Sequence, residues 1–426
     1  MSESRSQVKS FGIDKRVVWE AWKQVRANQG AAGVDEVSIL DFEGNLSGNL
    51  YRVWNRLSSG SYMPPPVKVV EIPKKDGRGV RTLGVPTVAD RVAQTAVRLY
   101  LEPGVEPFFH QDSYGYRPGR SALDAVEACR KRCWKYDWLI DLDYRSFFDT
   151  VDHSLILKAV ARHTDSRWVL LYVGRWLKAP LDDGSGTLVA RDRGTPQGSA
   201  ISPVLANLFL HYSFDAWMAR ELPAVPFERY VDDVVVHCKS ERQARFVLGE
   251  INKRMADCHL ELNQDKTHIV YCKDSNRKGS HERERFDFLG FTFRPRKASN
   301  GWGELFTSFL PAISDEAAKA IRRRIKRWRI HLWSGTPLTQ IAQEINPIVR
   351  GWINYYGRFA PYRLRTSLWG IDQYLVRWAR RKYKRLKTSK SSKKAWGFMA
   401  DVATREPDLF AHWQLVRTRD RMVGAV

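Results

Sequence analysis

The sequence predicts an α+β region of about 310 residues followed by an all-helical basic one, and three observations carry that reading. Short strand-like apolar runs flank two turns, making hairpins at 67–85 and 227–238, and apolar residues recur at helical spacing between them. After Pro311 every periodic stretch is helical. The basic excess falls in the same place: residues 311–426 hold 25 Lys+Arg against 8 Asp+Glu, a net of +17 that leaves +6 of the total +23 for the first 310 residues.

The elements follow in order. Val18, Trp22 and Val25 share a face of a helix from about Lys15 to Asn28, which stops at Gln29-Gly30. Val67 to Pro73 and Val80 to Val85 form a hairpin around a turn at Lys75-Asp76-Gly77-Arg78-Gly79. Thr87 with Asp90 starts a helix carrying Val88, Val92, Ala96 and Leu99, and a further helix after Ser121 sets Cys129 and Cys133 one turn apart as core neighbours. Trp138 to Asp143 reads as a strand with Trp138, Ile140 and Leu142 on one face and Asp141 and Asp143 on the other. Ser202-Pro203 has the signature of an N-cap and first turn for a buried helix running to Trp217. Phe227 to Tyr230 and Val234 to Cys238 are apolar strands joined at Val231-Asp232-Asp233. In the basic region Ser314 begins a helix with Ala317, Ile321, Ile325, Trp328 and Leu332 inward and six basic residues between Arg322 and Arg329. Asn346-Pro347 ends one helix and starts another, and a third runs from about Arg365 to Leu386.

With 43% hydrophobic and 27% charged residues the chain is globular, of two or three domains, and neither collagenous nor disordered. Its longest uncharged apolar stretches, such as Ser199 to Phe214, are too short and too polar to span a bilayer, so no membrane partner is expected. Met1 to Gly12 lacks the apolar core of a signal peptide, and five Cys without a CxxC pair suit a reducing cytoplasm. The basic block, interleaved with Trp328, Trp333, Trp352, Trp369 and Trp378, fits a surface that tracks a nucleic-acid backbone with stacking aromatics. The plainer alternative is a solvated basic face over a Trp-rich core.

Asp143 at a strand end and Asp232-Asp233 at a hairpin tip are the pieces of a two-metal site, which could lower the pKa of an attacking hydroxyl and neutralise a leaving pyrophosphate. An Asp-Asp pair alone is usually a solvated turn. Acids flanked by Tyr230-Val231 and Val234-Val235-Val236 have few reasons to sit in such a place unless a cation neutralises them.

These residues resemble the reverse transcriptases encoded by bacterial group II introns, the intron maturases, or their free-standing relatives. Tyr230-Val231-Asp232-Asp233 resembles the family's Tyr-x-Asp-Asp box, and Asp141 to Asp149 its first catalytic motif. Gly194 to Pro203 is similar to the motif between them, and Phe288-Leu289-Gly290-Phe291 to the primer grip. Asn28 to Asp35, Ile72-Pro73-Lys74 and Gly115 to Arg120 match upstream in order, and Gly351 to Tyr356 matches the thumb or maturase segment. The resemblance spans roughly residues 15 to 390 and implies a right-hand polymerase. Residues 1–60 would extend the fingers, 61–310 form fingers and palm with an antiparallel catalytic sheet, 311–390 a helical thumb, and 391–426 a short basic segment with no endonuclease domain.

The resemblance also implies roles. Asp143 and Asp232 would coordinate two Mg²⁺ ions, with Mn²⁺ as a substitute, assisted by Asp233 and the Tyr144 backbone carbonyl. Lys74 and Arg81 would grip the triphosphate, although taken alone they would more often be exposed hairpin charges. Gln197 would lie near the sugar and base of the nucleotide. Phe148 would block a ribose 2′-OH, with Phe147 as the alternative if the register slips by one. Tyr230, Val231, Leu289 and Gly290 would meet the primer end, and Arg322, Arg323, Lys326, Arg380, Arg381 and Lys384 the nucleic-acid backbone. Two positions depart from the common family pattern: Val231 stands where many members have Ala and would press on the primer terminus or nucleotide, and Gly198-Ser199-Ala200-Ile201 replaces Gly-Gly-Pro-Leu.

The implied activity is RNA-directed DNA synthesis from dNTPs on an RNA template with a DNA or RNA primer, serving retrohoming and intron splicing. Alternatives are a free-standing enzyme in DNA repair or another host role, and an RNA-binding splicing cofactor that does not require the acids. A purely architectural nucleic-acid binder is the third.

Overall fold

The computed structural model describes residues 9–73, 79–387 and 392–416. Lys74 and most of the predicted turn after it therefore lie outside the described residues. The chain divides into two units: residues up to Arg132 with Tyr136–Ile269, and Cys133–Lys135 with the chain from Val270 onward.

In the first unit the Lys15–Asn28 helix forms where its pattern places it. Asp14 caps it by accepting the Arg16 amide, Val18, Ala21, Trp22 and Val25 are buried, and Gln29 ends it at φ 44°. Each large apolar side chain so buried is worth ~1.5–3 kcal/mol against exposure, and the buried face packs on the Val88–Val105 helix. Thr87 caps that second helix through the Asp90 amide, as the sequence suggests. Among the described residues the strands, in chain order, are β1 (Val67–Pro73), β2 (Val80–Val85), β3 (Trp138–Leu142), β4 (Leu181–Asp182), β5 (Leu188–Val189), β6 (Phe227–Tyr230), β7 (Asp233–Cys238) and β8 (His268–Tyr271), the last crossing the boundary between the units. They make two four-stranded sheets, β2-β1-β4-β5 and β6-β7-β3-β8. The helix Glu241–Asp257 packs on β3 and β7, so Leu139 is as fully buried as Ile140 although it points the opposite way.

One helix departs from expectation. Ser202 does not cap it: its hydroxyl is engaged with Thr195 Oγ1 at 2.6 Å, and Ile201 holds the cap position. Beyond Leu210 the backbone widens into a π-helix, His211–Asp215, before Ala216–Glu221. That widened turn leaves Asp215 wholly buried against Arg229.

The second unit opens on an antiparallel meander of β9 (Phe286–Phe288), β10 (Phe291–Ser299) and β11 (Leu305–Ile313), then becomes helical. Ser314 caps the Asp315–Trp328 helix, which buries Ile321 and Ile325 and turns its basic residues outward. Leu332 does not continue the buried face. Arg329 adopts φ 49° and breaks the helical period, leaving Leu332 in a short turn at 48% exposure. Pro347 does not divide two helices either: Leu338–Tyr356 is continuous. An interior proline costs about 3 kcal/mol, and the buried stripe of Ile341, Ile345 and Val349, with Asn346 bonded to both Leu409 and Ala411, offsets it. The third helix is Pro361–Lys382, stopping at the extended Tyr383 before the separate turn Lys384–Lys387. Met399, Val402, Phe410 and Trp413 complete the same apolar core. Much of the Trp pattern is core: Trp378 is 1% exposed and Trp328 stacks on Trp352, while Trp369 stays half-exposed.

Candidate active site

β3 and β7 pair so that Leu142 faces Val234, and β6 pairs with β7 so that Tyr230 faces Asp233. Asp143, one residue past the end of β3, therefore stands beside the turn bearing Asp232 and Asp233. The Asp143 backbone is fixed from the other side: its carbonyl accepts the Asn263 amide at 2.7 Å, and its amide donates to Thr267 Oγ1 at 3.3 Å. Lys266 Nζ lies 3.6 Å from its carboxylate.

The acids strain one another electrostatically. Burial lifts the Asp232 carboxyl above the ordinary range, and Asp143 adds to the rise against the pull of Arg81. Asp233 keeps solvent contact, yet the protein crowding around it pushes its carboxyl up to about 7, with Asp232 and Asp143 adding and Arg81 and Lys266 opposing. The turn is strained as well. Val231 sits at φ 59°, a left-handed conformation that costs a β-branched residue on the order of 1–3 kcal/mol.

Val231 is 4% exposed, so its side chain does not stand open to press on a primer or nucleotide. It packs on Gly115, where a Cβ would lie 2.5 Å from Val231 Cγ2 and 2.6 Å from its amide nitrogen. The motif Gly115-Tyr116 thus closes against the Tyr-x-Asp-Asp turn. The half-exposed Tyr116 beside it feels both Asp232 and Arg81, and its hydroxyl is held above the usual range by burial first and then by Asp232. Tyr116 was legible only as part of a motif, with nothing to mark its nearness to the acids.

Phe147 and Phe148 separate cleanly. Phe147 is buried against Tyr144 and Phe209, whereas Phe148 is half-buried and lines a cavity of about 290 Å³ together with Gln197, Thr82 and Gly84. The Gln197 carbonyl accepts the Gly84 amide at 2.8 Å, tying its loop to β2. From behind, Gln94 Oε1 accepts both the Ser199 hydroxyl at 2.5 Å and the Ala200 amide at 2.8 Å. Gln94 is oriented by donating to Asp90, which also accepts the Tyr62 hydroxyl and the Trp176 indole. Burial nevertheless lifts the Asp90 carboxyl to about 6. The sequence marks Asp90 only as a first-turn acid.

In the second unit Leu289 (φ 50°) and Gly290 (φ 79°) form a tight turn between β9 and β10. The Tyr355 hydroxyl donates to the Leu289 carbonyl at 2.9 Å, and the Ser314 amide to that of Gly290. Arg322, Arg323, Lys326, Arg381 and Lys384 are exposed and Arg380 is half-buried; Arg322 also reaches the Ser367 hydroxyl at 3.3 Å.

Three neighbouring carboxylates that act on one another, two of them raised by burial first and then by repulsion, offer hard oxygen donors to which a divalent cation would restore charge balance. The residues present fit such a cation.

Comparison with known proteins agrees with this chemistry. Residues 72–293, just over half of the chain, match the family described as reverse transcriptase (RNA-dependent DNA polymerase). The chain belongs to the reverse transcriptase family. Residues 318–396 match the group II intron maturase-specific domain, so this reverse transcriptase is of the group II intron maturase type. It is 32% identical to Protein YkfC of Escherichia coli over 60% of this chain and 77% of that protein. It is 30% identical to the group II intron-encoded protein LtrA of Lactococcus lactis over 46% of this chain, but the match spans only 32% of LtrA's length. A yeast relative, the putative COX1/OXI3 intron 1 protein, is 31% identical over 40% of the chain and 20% of its own length. The family's fold is the right-hand polymerase, and its activity is divalent-metal-dependent nucleotide polymerisation on nucleic acid. Among the described residues no helix is long and apolar enough to cross a membrane.

Proposed function

We propose that the protein copies RNA into DNA at the Asp143–Asp232–Asp233 cluster and serves the mobility and splicing of a group II intron. The observation that carries this reading is the convergence of three carboxylates from β3 and the β6–β7 turn, under-neutralised by the protein's own cations. Asp143 and Asp232, with Asp233 and the Tyr144 carbonyl, would hold two Mg²⁺ ions, for which Mn²⁺ could substitute. Bound there, the ions supply a more acidic primer 3′-hydroxyl and charge neutralisation at the leaving pyrophosphate.

The chain's own groups do the rest. Arg81 and Lys74 bind the triphosphate, the former as a forked donor and the latter as a point charge. Phe148 and Gln197 bound the sugar and base, so a ribose 2′-hydroxyl would collide with the ring. Tyr230 with the Val231 backbone contacts the primer end, and Leu289 and Gly290 contact it as well. Residues 61–310 act as fingers and palm with 1–60 as their extension, and the exposed basic helices of 311–390 act as a thumb holding duplex and intron RNA through their backbones. Within the C-terminal basic segment 391–426, Met399, Val402, Phe410 and Trp413 pack into the core of those helices and so support the thumb. Partners are an RNA template, a DNA or RNA primer, dNTPs and intron RNA, met in a reducing cytoplasm to which five buried cysteines are suited. Primer extension on a primed RNA template with Mg²⁺ tests the reading: incorporation by the wild type that vanishes in Asp232→Ala is expected. Equal incorporation by the variant would overturn it.

A further inference from the structure

We propose that Arg229 is a positioning residue for polymerisation, the centre of a buried clamp that holds the strained turn at Val231 and so fixes Asp232 and Asp233 against Asp143. The inference rests on the polymerase reading above. Arg229 is wholly buried. Its Nε and one terminal nitrogen grip Asp215 at 2.7 and 2.6 Å, and its other terminal nitrogen donates to the Val231 carbonyl at 3.2 Å and to Asn207 Oδ1 at 3.0 Å.

Each partner is itself anchored. Asp215 is delivered by the π-helix and is as fully buried as Arg229. Asn207 passes the constraint on: its side-chain amide donates to the Gly115 carbonyl at 2.7 Å, and Gly115 is the residue against which Val231 packs. The strand carrying Arg229 is stitched to the same segment, the Tyr114 amide donating to the Arg229 carbonyl and the Arg229 amide to that of Asp112. The Tyr144 hydroxyl, next in sequence to Asp143, is buried close enough to feel Arg229, Asp215 and Asp232.

One guanidinium therefore touches the turn that bears two of the acids and lies beside the residue following the third. A left-handed β-branched residue persists only where its surroundings over-determine it. Here the carbonyl of that residue is held by Arg229 and its side chain by Gly115. Only a planar fork can serve Asp215 twice and still reach Val231 and Asn207; an ammonium at the end of a flexible stem cannot.

The test compares Arg229→Lys, which keeps the charge, with the wild type, each bound to a primed RNA template. Three quantities are read: melting temperature, Mn²⁺ affinity by electron paramagnetic resonance, and the Mg²⁺ concentration giving half-maximal incorporation. The expected result is a cooperatively melting protein whose Mn²⁺ affinity falls about tenfold and whose Mg²⁺ requirement rises by a similar factor. A lowered melting temperature with unchanged Mn²⁺ affinity and Mg²⁺ requirement would mean a structural role alone and overturn the proposal. Gly115→Ala tests the same turn with the ion pair intact, and decides the matter should Arg229→Lys fail to fold. Its Cβ must displace the Tyr230–Val231 backbone, so the same weakening of Mn²⁺ binding is expected, relieved in part by adding Val231→Gly. Unchanged Mn²⁺ binding in Gly115→Ala would contradict the clamp. Absence of incorporation by the wild type would instead sink the polymerase reading, and the Mn²⁺ affinities would still judge the clamp.

Discussion

The first unit holds acids in its interior and acids at a hairpin tip, and they are treated in opposite ways. In the interior Asp215 has both oxygens on Arg229, Glu228 is bonded to Arg132 and His237, and Asp90 accepts three donors. At the hairpin's tip Asp143, Asp232 and Asp233 crowd one another, and among the described residues Lys266, Arg81 and the buried Arg229 offset them only in part. Interior acids that are matched by donors set the architecture. Tip acids left in mutual repulsion reserve their charge for something not of the chain, which is the electrostatic signature of a site.

Removing an acid of each kind breaks the comparison in different ways. The largest effect belongs to Asp232→Ala. Incorporation of dNTPs should fall by at least about 10³-fold, since charge stabilisation at the phosphoryl transfer is lost, while circular dichroism should show an unaltered fold. Glu228→Gln should do the reverse, lowering unfolding free energy by about 1–3 kcal/mol, because Arg132 loses its partner on this fully buried carboxylate but keeps Asp112. Denaturant titration would reveal it, and a neutral outcome would erase the distinction between the two groups.

Asp90 sharpens the contrast through pH. Folding raises its carboxyl to about 6, so the native state binds a proton more readily than the unfolded chain. Its contribution is fully present below the unfolded value near 4 and is lost as pH rises through about 6. A rise of that size corresponds to roughly 2–3 kcal/mol. The stability of wild type relative to Asp90→Asn should therefore decline between pH 4 and pH 7, and a flat difference would contradict the assignment. The smallest effect is expected at the exposed basic helix. Replacing Arg323 and Lys326 together by Gln should reduce the salt slope of RNA binding by roughly 0.7 for each phosphate no longer neutralised, with stability changed by less than about 0.5 kcal/mol.

What the sequence revealed follows the same division. The tip acids are announced locally: Asp143 ends a strand of alternating pattern, and Asp232-Asp233 interrupt two apolar runs. The two hairpins, the Lys15–Asn28 helix and the basic face after Ser314 were legible for the same reason. The interior acids were not, because their partners lie elsewhere in the chain. Asp90 meets Trp176, Glu228 meets Arg132, and Asp215 reaches Arg229 only through a π-helix that no periodicity announces. Pro347 misled for a related reason, since the buried stripe and the Asn346 bonds that carry a helix through it are tertiary. Val231 read as a group facing the primer because nothing in its neighbours revealed Gly115 across the turn.

The most direct test of the central claim takes Asp233→Asn at pH 8 without divalent cation and measures denaturant midpoint and dNTP incorporation on the same preparation. Relief of repulsion predicts a protein more stable than wild type, by on the order of 1 kcal/mol once solvent screening of this accessible group is allowed for, and severely impaired in incorporation when Mg²⁺ is restored. A variant less stable than wild type, or one as active, would show that the tip acids are structural and that the contrast on which the account rests is false.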